Sequence, residues 1–261
     1  MTAIAIESLN VSYGTKPMLK DVSVSVGEGR WTGIIGPNGS GKSTLLRTVV
    51  GALAHTGTIK VLDQSVADGD IKAMARKLAY VPQRPIYPPG MSVFDFVLLG
   101  RTPHLGILAA ERAEDISIVW ESLEALNITP FASRDVSSLS GGETQRASLA
   151  RVLAQEPSVV LLDEATASLD IAAQFEVMEL IAGIQKTKQV TILSAIHDLT
   201  AAAQFCDDLV LLSEGELVAA GPPRAVLTEK TLGSVFEPTI RVIDVEGSLV
   251  VVSLRTEGTR T

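Results

Sequence analysis

The residues with the clearest chemical meaning are Gly36, Pro37, Asn38, Gly39, Ser40, Gly41, Lys42, Ser43 and Thr44, spelling GPNGSGKST, and the acidic pair Asp163 and Glu164. Gly36, four residues, then Gly41, Lys42 and Ser43 is the spelling of a phosphate-binding loop. Several backbone N–H groups must converge on one phosphate chain there, and side chains at the glycines would block the approach. Lys42 would set its ammonium against the β- and γ-phosphates, Ser43 would offer its hydroxyl to Mg²⁺, and the next helix would point its positive end at the anion. Asp163 and Glu164 end the run SVVLLDE, at the carboxyl end of what reads as a buried parallel strand, where ligands of open α/β sheets collect. Beside a phosphate loop, Asp163 is the expected partner of Mg²⁺ and Glu164 the expected group next to an attacking water.

Weaker candidates surround these. Ser140, Gly141 and Gly142 of LSGGE lead into a helical pattern over Thr144–Gln155, and that start is either an anion contact or a capped turn. Tyr13 lies one strand upstream of the loop and either stacks on an adenine or packs in a turn. His197 falls at the end of the strand VTILSA, and Gln83 ends the strand LAYVPQ.

The elements that must position these groups follow from periodicity. Trp31–Ile35 is a buried strand before the loop, and Leu45, Leu46, Val49 and Val50 recur at helical spacing after it. Alternating apolar positions over 3–9 and 21–27 predict antiparallel strands. Residues 57–62 and 78–83 read as further strands, and RPIYPPGMS, 84–92, interrupts the pattern. Helices are expected over 93–99 and 110–126, the second with Ile116, Val119, Trp120, Leu123 and Leu126 on one stripe. No strand pattern returns until Val159, so 84–157 reads as a helical insertion in an α/β core. Ile171, Phe175, Met178 and Ile181 form the face of another helix. Glu214–Gly215 and Glu246–Gly247 read as hairpin turns, with a loose polar tail after the second.

The 261 residues, 46% hydrophobic and 20% charged, suffice for a sizeable core. A formal charge of −8 argues against nucleic acid as the main partner. One cysteine, Cys206, rules out an internal disulfide and suggests a reducing compartment. There is no secretory signal pattern and no apolar run near the roughly 18–20 residues of a membrane-spanning helix, so a membrane role would go through a partner.

In this order the motifs resemble the nucleotide-binding subunit of an ABC transporter, over about residues 4–237. The resemblance implies a P-loop NTPase core, 1–83 and 158–237, with antiparallel N-terminal strands, a helical subdomain, 84–157, and a C-terminal hairpin and tail, 238–261. It implies that Tyr13 stacks on adenine, that Gln83 senses Mg²⁺ and the attacking water, and that Asp163 helps to hold the metal. Glu164 is then the catalytic base, His197 a contact to the γ-phosphate, and Asp170 part of a loop crossing between subunits. Ser140, Gly141, Gly142 and Glu143 would cap the γ-phosphate of ATP held by another copy. The implied partners are membrane-spanning permease subunits, a second copy of this chain and, indirectly, a substrate-binding protein, with the chain peripheral on the cytoplasmic face of the cell membrane. FVLLGRTPHLGIL, 96–108, is similar to ATPases that drive uptake of iron-siderophores, haem and cobalamin, whereas Ala165 stands where importers commonly have proline. A soluble ABC protein, such as a cluster-assembly ATPase, is the alternative. A small-molecule kinase would leave LSGGE without a purpose.

Overall fold

The computed structural model describes residues 1–67, 70–106, 109–166, 169–236 and 240–254. The alternating N-terminal segments form a hairpin of β1 (Thr2–Tyr13) and β2 (Lys16–Gly27), with Ile4 opposite Val26 and Ile6 opposite Val24. The apolar run that follows is β3 (Trp31–Ile35), buried throughout, and it delivers the chain to α1 (Lys42–Val49). β4 (Thr56–Val61) and β5 (Gln64–Ser65) complete an antiparallel sheet of order β2-β1-β4-β5. After α2 (Ile71–Lys77) comes β6 (Leu78–Val81), then the helical region of α3 (Val93–Leu98), α4 (Ala113–Ala125) and α5 (Gly141–Ala154).

The second half alternates strand and helix. It runs β7 (Val159–Asp163), α6 (Ile171–Lys188), β8 (Thr191–Ala195), α7 (Leu199–Phe205), β9 (Asp208–Ser213) and β10 (Glu216–Gly221). The central sheet has the order β10-β9-β3-β8-β7-β6 and is parallel except for β10, as crossover helices require. Short helices α8 (Pro223–Val226) and α9 (Glu229–Val235) lead to the terminal hairpin, β11 (Ile240–Val245) and β12 (Ser248–Ser253).

Two cores lie on opposite faces of the central sheet, and strand alternation assigns residues to each. Ile34, Val159, Leu161, Leu193 and Val210 face α1 and the antiparallel sheet. Ile35, Val160, Leu162, Ile192 and Leu211 face the helical region, α6 and α7. A sheet covered on both faces explains why these strands read as unbroken apolar runs. The consequence for the site is rigidity: every strand end that carries a polar group is fixed from both sides.

Some expectations shift. The helix after LSGGE, α5, starts at Gly141, not Thr144, so both glycines belong to its first turn. On α4 only Val119 and Leu123 of the expected stripe are buried along the helix, with Leu126 just beyond it, while Ile116 and Trp120 are 36% and 44% exposed. Trp120 finds a ring partner in Phe94 at 5.0 Å. On α6, Met178 and Ile181 pack but Ile171 is 89% exposed. The terminal hairpin lies against α7, where the Val251 N–H donates to Thr200 Oγ1 at 3.0 Å. The expected domain boundary at 237/238 and the polar tail fall outside the described residues.

Candidate functional site

The phosphate loop joins β3 to α1 with a backbone that only glycine suits at its ends. Gly36 has φ 146°, and a Cβ there would stand 2.1 Å from the Leu212 carbonyl oxygen. Gly41, the residue capping α1, has φ 107°, and a Cβ would meet Leu19 Cδ2 at 2.6 Å. The loop is therefore pressed against β2 and β9, so its N–H groups are directed by the scaffold. No side chain caps α1, which leaves its first N–H groups open to an anion.

Lys42 is 4% exposed and folds over the loop, its ammonium donating to the carbonyls of Gly36 at 2.9 Å and Pro37 at 3.1 Å. Burial pulls its pKa down, opposed by the charges of Glu164 and Asp163. Ser40 Oγ is buried with no hydrogen-bond partner, an orphaned polar atom inside an anion-shaped loop. Ser43 Oγ donates to Asp163 Oδ1 at 2.7 Å. Asp163, at the end of β7, also accepts from the Tyr80 hydroxyl at 3.1 Å. Burial pushes Asp163 above the ordinary carboxylate range, against the pull of those two bonds.

Glu164 follows with φ 51°, a left-handed turn that ends β7 and turns the carboxylate into the site. Its side chain is 7% exposed, with Oε1 2.5 Å from His197 Nε2. Its Oε2 accepts from the Gln83 side-chain amide. Thus β3, β8, β7 and β6, consecutive neighbours in the sheet, bring the loop, His197, Asp163, Glu164 and Gln83 to one edge.

A second group lies apart. Ser140 caps α5, and the Glu143 carboxylate accepts from the Ser140 N–H at 2.7 Å to close a capping box. Leu169 Cδ2 would be 3.7 Å from a Cβ at Gly141, which puts the segment before Asp170 beside this helix start. Asp170 itself caps α6, accepting from the Ala173 N–H at 2.9 Å. Among the described residues no hydrogen bond or ion pair joins this group to the phosphate loop. Tyr13 ends β1, 44% exposed. Burial, and then Asp163, pushes the nearby Tyr80 phenol up.

Tyr80 is the site residue that sequence reasoning missed. It sits three residues before Gln83 in an apolar run and reads as core. The residues present fit Mg²⁺: a hydroxyl and a carboxylate already paired, hard oxygen donors of the kind that hold this ion together with substrate phosphates.

A Walker-type loop on a doubly covered parallel sheet, with an acid pair at the end of the next strand but one and an inserted helical region, defines a P-loop nucleoside triphosphatase. Residues 19–167 match the family model described as ABC transporter, and the chain belongs to that family as an ATP-binding subunit. It is 36% identical over 252 residues to the ferric enterobactin transport ATP-binding protein of Escherichia coli, covering 95% of this chain and 93% of that one. It is 39% identical over 238 residues to the cobalamin import ATP-binding protein of Halobacterium salinarum, covering 91% of this chain but spanning 59% of that protein's length. A solved structure of a metal-chelate type ABC transporter in an inward-facing conformation superposes with a TM-score of 0.85 at 28% identity, covering 98% of both chains. A dimeric bacterial ABC transporter cassette superposes with a TM-score of 0.76 at 27% identity, covering 85% of this chain and 99% of that one.

Proposed function

We propose that the chain is the ATP-hydrolysing subunit of an importer for an iron-siderophore, haem or cobalamin, acting as a dimer on the cytoplasmic face of permease subunits. The observation that carries the hydrolytic part is Glu164, fixed by His197 and Gln83 beside the loop that holds Lys42 and Ser43. ATP lies along Gly36–Thr44 with its adenine toward Tyr13. Lys42 leaves its carbonyl partners for the β- and γ-phosphates, and the loop N–H groups take the remaining charge. Ser43 and Asp163, with Gln83, would hold Mg²⁺, which would neutralise the charge that develops on the phosphate oxygens.

Glu164 accepts the proton of water as the water oxygen attacks the γ-phosphorus, and the bond to the β-phosphate oxygen breaks in line. His197 orients that carboxylate and faces the γ-phosphate. The donors of Ser140–Glu143 come from a second copy and complete the charge stabilisation that one chain lacks. Closing two copies on ATP moves the helical regions, and this drives the permease.

Glu164→Gln keeps shape and hydrogen bonding but removes the base, so turnover falls about 10²- to 10⁴-fold while ATP binding persists. Near-normal steady-state hydrolysis by that variant would refute the assignment. Cargo follows from co-purification: a permease whose cognate binding protein takes a metal chelate or corrinoid supports the importer, and a scaffold partner in its place refutes it.

A further inference from the structure

The two acids that end β7 are neighbours in sequence, yet the structure gives them different partners. Asp163 keeps the alternation of β7 and leaves the sheet on the same side as Leu161, toward α1. There its Oδ1 accepts from Ser43 Oγ at 2.7 Å and its Oδ2 from the Tyr80 hydroxyl at 3.1 Å. Glu164, with φ 51°, breaks the alternation and turns to His197 and to the Gln83 amide. Tyr80 and Gln83 belong to one stretch of chain, β6 and the residues just after it, so the same strand end donates to each acid separately.

Register explains how Tyr80 reaches its acid. Tyr80 lies beside Leu161 in the parallel ladder of β6 and β7, so its side chain leaves on the Asp163 side of the sheet, one pleat back. The ring packs against the core that α1 and the antiparallel sheet cover. Its hydroxyl makes no other hydrogen bond among the described residues.

The two donors to Asp163 are not equivalent. Asp163 is 3% exposed, so a donor lost there is not replaced by bulk water. Ser43 is shared, because its oxygen is also assigned to Mg²⁺, and it moves with whatever the phosphate loop holds. Tyr80 is dedicated: its ring is packed in the scaffold, and no hydrogen bond joins it to the loop among the described residues. A carboxylate between a shared donor and a dedicated one takes its orientation from the dedicated one.

We infer that Tyr80 is a positioning residue of the metal site, whose hydroxyl fixes the rotation of the Asp163 carboxylate so that Oδ1 stays directed at Ser43 and at the ion these two would hold. Gln83 does the corresponding work on Glu164, and the strand end thereby keeps adjacent acids on separate tasks. The inference rests on the proposed reading of Ser43 and Asp163 as the metal-holding pair. It separates two quantities: Tyr80 matters to how the ion binds and not to how the nucleotide binds without it.

Calorimetric titration of the full chain with a non-hydrolysable ATP analogue, in EDTA and again in Mg²⁺, tests this, since the ratio of the two dissociation constants measures how far the ion tightens binding. Tyr80→Phe keeps the ring and removes the hydroxyl. Its dissociation constant in EDTA should stay within about twofold of wild type, while the ratio falls about tenfold. A ratio equal to that of wild type overturns the inference. A wild-type ratio of one instead sinks Ser43 and Asp163 as metal holders, and the role of Tyr80 with them. If Tyr80→Phe does not fold, the wild-type chain decides through tyrosine labelled with ¹³C at Cζ, which gives three signals that Tyr13→Phe and Tyr87→Phe assign by elimination. The Tyr80 signal should shift when Mg²⁺ is added to the analogue-loaded chain, and should not do so in Asp163→Asn. No shift in wild type, or the same shift in Asp163→Asn, overturns the inference.

Discussion

Two helix starts in this chain carry glycines and aim backbone N–H groups outward, yet they are built in opposite ways. At α1 no side chain caps the helix, its first turn contains no acid, and Ser40 Oγ is buried without a partner. At α5 the helix caps itself, Glu143 closing on the Ser140 N–H at 2.7 Å. The first has donors with nothing to donate to, enclosed by scaffold. The second has its needs met and stands in solvent. A site that binds on its own must keep unsatisfied donors preorganised, at a cost to stability, while a surface that engages only when a partner arrives must be soluble until then. This contrast supports one chain supplying half of each site.

Replacing glycine by alanine in the loop before α1 and in the first turn of α5 gives the largest difference. Gly36→Ala forces a Cβ to 2.1 Å from the Leu212 carbonyl at φ 146°, and should cost about 3 kcal/mol or more in thermal unfolding. Gly142→Ala meets nothing within 4 Å and replaces glycine in a helix, so it should be neutral or stabilise by about 0.5–1 kcal/mol. Equal losses would erase the distinction.

Next in size is Lys42→Ala, which removes a buried ammonium from the phosphates and should weaken ATP binding about 10²-fold by calorimetry. Gly142→Asp should leave monomer ATP binding intact, because the site is open, but abolish turnover by placing a carboxylate against phosphate. Mixed in equal amounts, the two inactive variants should recover up to about a quarter of wild-type turnover, since half the dimers are mixed and each has one intact composite site. No recovery would mean that both halves work within one chain.

How much of this was legible depended on where the information resides. The phosphate loop could be read outright because its ligands are backbone groups, and the glycines that free them are visible in the spelling. The acid pair could be read because Val159–Leu162 is apolar on both faces, which marks a covered parallel strand and hence a ligand-bearing end. Tyr80 could not, since a tyrosine in LAYVPQ looks like core until the register of β6 with β7 sets its hydroxyl on Asp163. Helical stripes misled in part: periodicity says that Trp120 and Val119 share a helix surface, but only the neighbours decide that Val119 is buried and Trp120 half open. The self-capping of α5 was partly readable, as serine followed three residues later by glutamate is a helix-start signature, although the sequence left the choice between cap and anion contact open.

That choice yields the smallest effect and a useful one. The N–H of Ser140 and the hydroxyl of the same residue hold the Glu143 carboxyl below the ordinary carboxylate range. A depressed carboxylate pKa contributes stability that is fully present above the unfolded value, about 4.3, and is lost as pH falls through the lower folded value. Glu143→Gln should therefore cost about 0.5–1 kcal/mol at neutral pH, with the difference from wild type vanishing in acid. On the proposed shared site the same exchange removes a negative charge next to the donors assigned to a phosphate, so it should leave dimerisation on ATP no weaker even as the isolated chain loses stability. If the variant instead unfolds at the wild-type temperature across the pH range, the cap does not stabilise the resting helix, and the two starts are alike in being open.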